Sequence, residues 1–438
     1  MAGGTYTAMN KVRPGVYINF ESEPKPLGSL GERGIVTFAL PLSWGVEKEV
    51  LEIEAGENVR AKLGYSLTDP ELLLVREALK RAKKVILYRL NEGTKATATA
   101  DTLTITAKYS GIRGNDISIA VQKNIDDATK FDVQTLVEGA EMDLQTVESI
   151  EQLHSNDWVT FSGTGVLTET AGISLANGSD GTATNEDHLD YLCAIEVFEF
   201  NTIGLTAADT MLKSLYSSFV HRLRSDEGIK VQLVVENYPI ADGEGVISVK
   251  NGVILSDGTA LSANQAVAWV AGATAAADVN ESLTYQAYDD AVDAEPRYTN
   301  SQIEAALKNG EFVFVQSNGL AMVEQDINTL KSFSPKKGKH FSKNRVIRVL
   351  DGINQDIKRI FEKFYIGKVD NNADGRNLLR NELNNYLLML QNVNAIQNFD
   401  AQKDVTIQAG SDSDSVYVEV HVQPVDSIEK IYMKVQVK

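Results

Sequence analysis

One cysteine in 438 residues leaves no way to form a disulfide within the chain. That suits folding in a reducing compartment. The residue, Cys193, lies in the apolar run YLCAIEVF, a setting that predicts a buried core thiol. No stretch of eighteen apolar residues occurs, which excludes a spanning helix, and MAGGTYTAMNKVRPGVY lacks the basic-then-apolar order of a secretory signal. Phosphate-binding loops are missing as well: there is no GxxxxGK[ST], and GTGVLT and GEGVIS lack the third glycine of a dinucleotide fingerprint. The histidines (His154, His188, His221, His340, His421) are scattered, without HExxH or a cysteine set, which argues against zinc. His421, on the outer face of a strand, reads as a solvated or interface residue. No GxSxG elbow is present. No cofactor and no metal are expected, and catalysis has no supporting motif.

Positive charge is scarce too. The net charge is −18, which is unfavourable for a general nucleic-acid binder. The deficit is uneven. From Asp101 to Asp190 there are 16 acids against 4 bases, a net of −12, whereas from Lys331 to Lys368 there are 11 bases against 3 acids, a net of +8. Such polarity suggests a molecule with an outer and an inner side.

The chain is long enough for two to four domains. RPGVYINF alternates as a strand, and the proline-rich SEPKPLGS isolates it as an arm, residues 1–29 with its linker. RGIVTFAL, TDPELLLVREALKRAKKVILYRL and the segments from NEDHLDYLCAIEVFEFNTIGL through IKVQLVV alternate strand and helix. They predict an α/β core over 30–93 and 179–330, with Thr68 or Asp69 capping a helix and an alanine-rich helix over Ser262–Ala277. Residues 94–178 are rich in Thr, Asp and Gly, with short alternating pieces such as TLTITA, ISIAVQ and FDVQTLV, and read as a β-rich acidic insertion. A domain over 331–427 combines two helices with a hairpin. The first helix has an apolar face of Val346, Val349, Leu350, Ile353, Ile357, Ile360, Phe361 and Phe364, and the second one of Leu378, Leu379, Leu383, Tyr386, Leu387 and Leu390. The hairpin is DVTIQA and VYVEVHV, turning at SDSDS. Residues 428–438 form a last, tethered strand. The expected class is mixed α/β and α+β, multidomain, with strand arms at both termini that can be exchanged.

Three features could carry function. VDNNADGRNLLRNE places Asp370, Asn372 and Asp374 at the first, third and fifth positions of a calcium loop, with Gly375 sixth. The closing position holds Asn381 instead of a bidentate glutamate, so the segment reads better as a turn in which Asp374 caps the second helix. The basic run from Lys331 to Arg348 reads as a solvated loop, a nucleic-acid patch or a docking surface for an acidic protein. The terminal strands either fold back onto their own sheet or add to a neighbour's by β-augmentation, and arms at both ends give heterologous contacts that propagate into rings or tubes. The rival class is an α/β enzyme or a calcium-binding module with no assembly role.

Taken together and in order, RPGVYI, LANGSDG, FEFNTIGL, SLTYQAYDDAVDAEPRYTNSQIEAALKNGEFVFV, NRVIRVLDGINQDI and YIGKVDNNADGRNLLRNELNNYL resemble contractile phage tail sheath proteins. The similarity is to sheaths of Gram-positive myophages, defective prophages such as PBSX, and phage-tail-like bacteriocins. It spans nearly the whole chain and is weakest over the insertion. The resemblance implies a structural subunit, not an enzyme. It would stack as hexameric rings around a tail tube and contract to drive the tube through a cell envelope. It would assemble in the bacterial host cytoplasm and reside in a virion tail or tail-like particle. Implied partners are further copies of itself, the tail tube protein, and baseplate and tail terminator proteins, without direct nucleic-acid contact or membrane insertion. Carried onto this chain, the donor strands would include Val16, Tyr17, Ile18 and Phe20, with Ile431, Met433, Val435 and Val437. The acceptor sheet would include Thr406, Ile407, Val416, Val418, Val420 and Val422. The linkers Glu21–Ser29 and Pro424–Lys430 would be flexible. The tube would meet the basic domain, with Lys336, Lys337, Lys339, Lys343, Arg345, Lys358, Arg359 and Lys363 as candidates, while the acidic insertion faces outward.

Overall fold

The computed structural model describes residues 30–437 together with 2–4, 12 and 15–17. They fall into two compact units, one of residues 32–355 with 424–438, the other of 1–31 with 356–423.

The larger unit is built on a seven-stranded sheet. Its strands run in the order Glu311–Phe312, Val246–Val249, Gln232–Glu236, Thr202–Leu205, Ile35–Leu40, Lys84–Arg89 and Val50–Glu54, all parallel except the last. Parallel strands need covered faces, and the residues alternate accordingly. Val36, Phe38, Val85, Leu87 and Val234 point to one side, where helices α1 (Leu73–Leu79) and, further along the chain, the alanine-rich Ala263–Ala276 pack. Ala39, Ile86, Tyr88, Leu233 and Val235 point to the other, under α2 (Asn185–Ile195) and α3 (Thr210–Ser225). The alanine-rich helix, α4, starts from a capping box of Ser262 and Gln265 and is buried from Ala266 through Ala275. Gly272 lets it approach α1, since a Cβ there would lie 2.3 Å from the Ala78 carbonyl oxygen. Next come α5 (Asn300–Lys308) and a tight hairpin of Phe314–Ser317 with Leu320–Val323.

Cys193 departs from expectation. It is exposed, because the buried side of α2 carries His188, Tyr191, Leu192 and Ile195, and Cys193 falls opposite. The run YLCAIEVF is apolar, but a helix buries only one stripe of it.

Between residues 94 and 179 two antiparallel sheets face each other. One is ordered Ala140–Val147, Phe131–Val137, Ile117–Lys123, Thr170–Ser174, the other Val159–Ser162, Leu103–Ala107, Thr97–Ala100. Their shared core includes Ile105, Ile119, Val133 and Trp158, and Trp44 of the α/β part joins it. LANGSDG forms the neck: Thr94 pairs with Ser179, and the Asp180 carboxylate accepts from Ser43 Oγ (2.9 Å) and Ile112 N–H (2.8 Å). Gly181 is left-handed (φ +67°) and lies against the Glu92 carbonyl, where a Cβ would clash at 1.9 Å. The buried Arg89 guanidinium donates to the carbonyls of Gly45 (2.8 Å) and Ser110 (3.1 Å), locking the sandwich to the sheet end.

Helix α6 (Asn344–Phe364) begins in the larger unit and ends in the smaller. The smaller unit continues with α7 (Ala373–Asn392) and the hairpin Val405–Ala409/Val416–Val420. On α7, Leu379, Leu383, Tyr386, Leu387 and Leu390 are buried as expected, while Leu378 is exposed. The Tyr386 hydroxyl donates to Asp356 (3.0 Å). No helix among the described residues is long and apolar enough to cross a membrane.

Replacing Gly272 with Ala should destabilise the protein by about 1–3 kcal/mol, because backbone rather than a flexible side chain must move. Equilibrium urea unfolding measures this, and an unchanged midpoint would refute the close α1–α4 packing.

Candidate assembly surfaces

The calcium-like segment resolves into two asparagines with different tasks. Asn372 is the N-cap of α7, its side chain accepting from Gly375 N–H at 2.9 Å. This replaces the expected cap, Asp374, which instead lies in the first helical turn, where the macrodipole favours an acid. Asn371 donates to the carbonyls of Ser413 and Ser415, both at 2.9 Å, and so staples the helix start to the turn of the hairpin. Among the described residues, no group of three His, Cys, Asp or Glu side chains is placed to hold a metal.

The hairpin itself is a two-stranded sheet with the register Val405↔Val420, Ile407↔Val418 and Ala409↔Val416. Val405 and Ile407 are buried and their strand lies along α7; Val416, Val418 and Val420 are half-buried on the same side as each other, and Tyr417 and Glu419 point outward. Thr406 is half-buried within the first strand, and Val422 lies beyond the second. Among the described residues each strand is paired on one side only, which leaves two edges without a partner there.

The arms are less uniform than their sequences suggest. Gly15–Tyr17, which contains Val16 and Tyr17, pairs in parallel with Ala2–Gly4 of the same chain. Ile18, Phe20 and the linker Glu21–Ser29 lie outside the described residues. Residues 425–437 contain no strand, although IYMKVQVK alternates as one, because alternation cannot supply the partner a strand requires. Ile431, Met433, Val435 and Val437 are 75–95% exposed.

The eight basic candidates divide sharply. Lys336 and Lys339 are exposed in the larger unit, and Lys358 and Lys363 in the smaller. Lys337 is ion-paired with Glu244 (2.5 Å) and Arg359 with Asp356 (2.8 Å). Arg345 is half-buried, near the Asp426 carboxylate. Lys343 is largely buried in an ion pair with Glu429, which removes it as a free docking cation. Glu429 was not visible as a functional residue: a lone acid in PVDSIEK has no pattern to mark it. Burial pushes its carboxyl up, but Lys343, Gln325 and Thr284 outweigh that and hold it below the ordinary glutamate value. A depressed carboxyl stabilises the fold above its unfolded value and loses that contribution as pH falls, so the pair is intact at neutral pH and opens only in acid.

Asn372→Ala should cost about 1 kcal/mol through loss of the cap, with Asp374→Ala costing less. Thermal melts with and without millimolar calcium test both points: the account expects no calcium effect, and a calcium-dependent rise in Tm would overturn the architectural reading of the loop.

Four tail sheath models match consecutive stretches of the chain. They are the Gp18 domain III N-terminal region over residues 33–90, the β-sandwich domain over 91–180, the central domain over 181–329 and the C-terminal domain over 336–438. The phage-like element PBSX protein XkdK of Bacillus subtilis is 40% identical over 466 residues, covering the whole of both chains. The crystal structure of a sheath tail protein from Desulfitobacterium hafniense is 63% identical, with a TM-score of 0.88 over 97% of this chain and 100% of that one. A Listeria innocua sheath tail protein is 42% identical, with a TM-score of 0.80 over 93% and 95%. With the anti-feeding prophage helical sheath in its contracted state, at 14% identity and a TM-score of 0.59, the likeness is one of fold. Matched along its length and in order, the chain belongs to the phage tail sheath family, a structural family and not a catalytic one.

Proposed function

We propose that this sheath protein polymerises by strand exchange, as stacked hexameric rings around a tail tube, and that the assembled lattice contracts to drive the tube through a target envelope. The observation that carries the reading is the combination of two hairpin edges with an exposed alternating segment, Ile431–Val437, neither of which has a strand partner among the described residues. A strand added to an edge satisfies main-chain groups at roughly 0.5–1.5 kcal/mol net per hydrogen bond. It also covers Ile431, Met433, Val435 and Val437. Such bonds do not depend on how the surrounding domains are oriented, so subunits could rotate while the mesh stays connected. Heterologous contacts of this kind propagate into rings and helices. The contracted helical assembly of the anti-feeding prophage sheath, which has the same fold, supports this architecture.

The division into an arm at 1–29, a core at 30–93 and 179–330, an insertion at 94–178, a polymerisation domain at 331–427 and an arm at 428–438 serves this role. Val16, Tyr17, Ile18 and Phe20 would donate at one end. At the other, Ile431, Met433, Val435 and Val437 would add to the sheet of Thr406, Ile407, Val416, Val418, Val420 and Val422. The exposed cations Lys336, Lys339, Lys358 and Lys363 would meet an acidic tube surface, and baseplate and terminator proteins would close the ends. Assembly would take place in the host cytoplasm, before incorporation into a phage or phage-like particle.

Purified protein should form tubes visible by negative-stain microscopy, and deleting Ile431–Lys438 should leave folded, non-polymerising subunits. Tubes formed by the truncated chain would refute the exchange reading. Separately, Lys336→Glu with Lys339→Glu should weaken co-assembly with tube protein while sparing self-assembly; unchanged co-assembly would leave Lys358 and Lys363 as the docking set.

A further inference from the structure

The segment beyond the hairpin does not leave the fold as a loose tether. Residues 424–438 group with 32–355, and within them Glu429 is held by donors from three separate parts of the larger unit. Its Oε1 accepts from Thr284 Oγ1 (3.1 Å) and from Ser427 Oγ (3.3 Å), its own near neighbour. Its Oε2 accepts from Gln325 Nε2 (2.6 Å) and from the Lys343 ammonium. The side chains of Lys343 and Glu429 are 16% and 12% exposed, so this pair is shielded from solvent in a way that ordinary surface pairs are not. Three residues earlier, Asp426 lies close enough to favour the charge of the half-buried Arg345. From Lys430 through Val437 every residue is exposed. The held part of the segment therefore stops at Glu429.

The groups that hold Glu429 are themselves fixed. The Thr284 hydroxyl also accepts from Asp326 N–H (3.0 Å). The Asp326 carboxylate takes hydrogen bonds from Leu283 N–H (3.0 Å), Asn344 Nδ2 (2.8 Å) and Arg348 (2.5 Å), the last two on the opening turns of α6. Asp326, Asn344 and Arg348 are each at most 1% exposed. Residue 327 bridges to Lys343. A buried frame thus positions the donors before Glu429 arrives.

We infer that Glu429 is the anchor of the C-terminal arm, a positioning residue that fixes where the exchange strand begins and hence its register on a neighbour. This rests on the strand-exchange reading, and it replaces the expectation of a flexible linker over Pro424–Lys430. Two consequences follow from chain geometry. With the anchor closed, the nine residues from Lys430 to Lys438 reach about 30 Å; with it open, the pivot retreats to Pro424 and the reach grows to about 50 Å. A fixed origin also removes the freedom to slip. A slip of one residue would turn Ile431, Met433, Val435 and Val437 to the opposite face of the sheet they join. The hairpin supplies the edge, and Glu429 supplies the starting point.

The test uses full-length protein carrying Cys193→Ser, with spin labels at Ser301→Cys on α5 and Lys430→Cys, kept dilute enough to stay monomeric. The inference expects one narrow distance distribution, broadened by Glu429→Ala and narrowed again when Glu429→Lys is combined with Lys343→Glu. A distribution that is broad in the Glu429 protein, or equally narrow after Glu429→Ala, would overturn the anchor. On assembly, Glu429→Ala should raise the concentration needed for tube formation roughly tenfold, because the arm must then be ordered at the moment of exchange. A cooperative melt that stays well above the assay temperature, even if lowered by loss of the ion pair, excludes misfolding as the cause. An unchanged threshold alongside a broadened distribution would overturn the register role. Failure of the strand-exchange reading is read elsewhere, in tubes formed without Ile431–Lys438, and leaves the monomer distances unaffected.

Discussion

A main-chain N–H or C=O group withdrawn from water without a partner is expensive, and a strand cannot meet that requirement alone. Two places in this protein leave the requirement open. Among the described residues, the hairpin Val405–Ala409/Val416–Val420 has two unpaired edges, and residues 431–437 have the alternation of a strand and no strand. The apolar side chains of that segment stand in solvent, with Ile431, Met433, Val435 and Val437 each at least 75% exposed. On the strand-exchange proposal each deficit answers the other between subunits, so that polymerisation would be the completion of a sheet and the two units around it would need only to present its parts.

Polar groups inside the fold are arranged to hold those parts in place. Arg224 makes a bidentate pair with Asp351 (2.7 and 2.9 Å), tying the end of α3 to α6, and Arg348 pairs with Asp326 at the start of α6. Asn371 and Asn372 together fix the start of α7 and the hairpin turn. Buried pairs of this kind contribute little net stability compared with apolar packing, but they tolerate few alternative geometries. That is the property a subunit needs if it is to move as a unit while its connections remain intact.

The α/β core was the most legible part of the sequence. Strands such as Ile35–Leu40 and Lys84–Arg89 are β-branched apolar runs, and α4 announces itself with Ser262 and Gln265 before an alanine-rich stretch. The hairpin was legible for the same reason, since the valines at 416, 418 and 420 share a side. Errors arose where one signal had two readings. Asn372 and Asp374 are both good caps, and only the backbone conformation at Asn372 decides between them. Cys193 sits in an apolar run but on the outer side of its helix. The basic run from Lys331 to Arg348 leaves a solvated loop, a nucleic-acid patch and a docking surface all open because sequence gives no pairing information; in the structure Lys337 and Lys343 of that run, and Arg359 beyond it, are engaged by acids from 3 to 93 positions away. The anchor at Glu429 was invisible because its meaning lies wholly in Thr284, Gln325 and Lys343, which are distant in the chain.

Hydrogen–deuterium exchange on dilute subunits and on assembled tubes addresses the central claim most directly. If the hairpin and the C-terminal arm complete one another's sheet between subunits, amides of residues 431–437 exchange freely in the subunit and become protected in the tube, together with amides on the outer edges of 405–409 and 416–420. Tubes in which residues 431–437 exchange as fast as they do in free subunits would contradict the account.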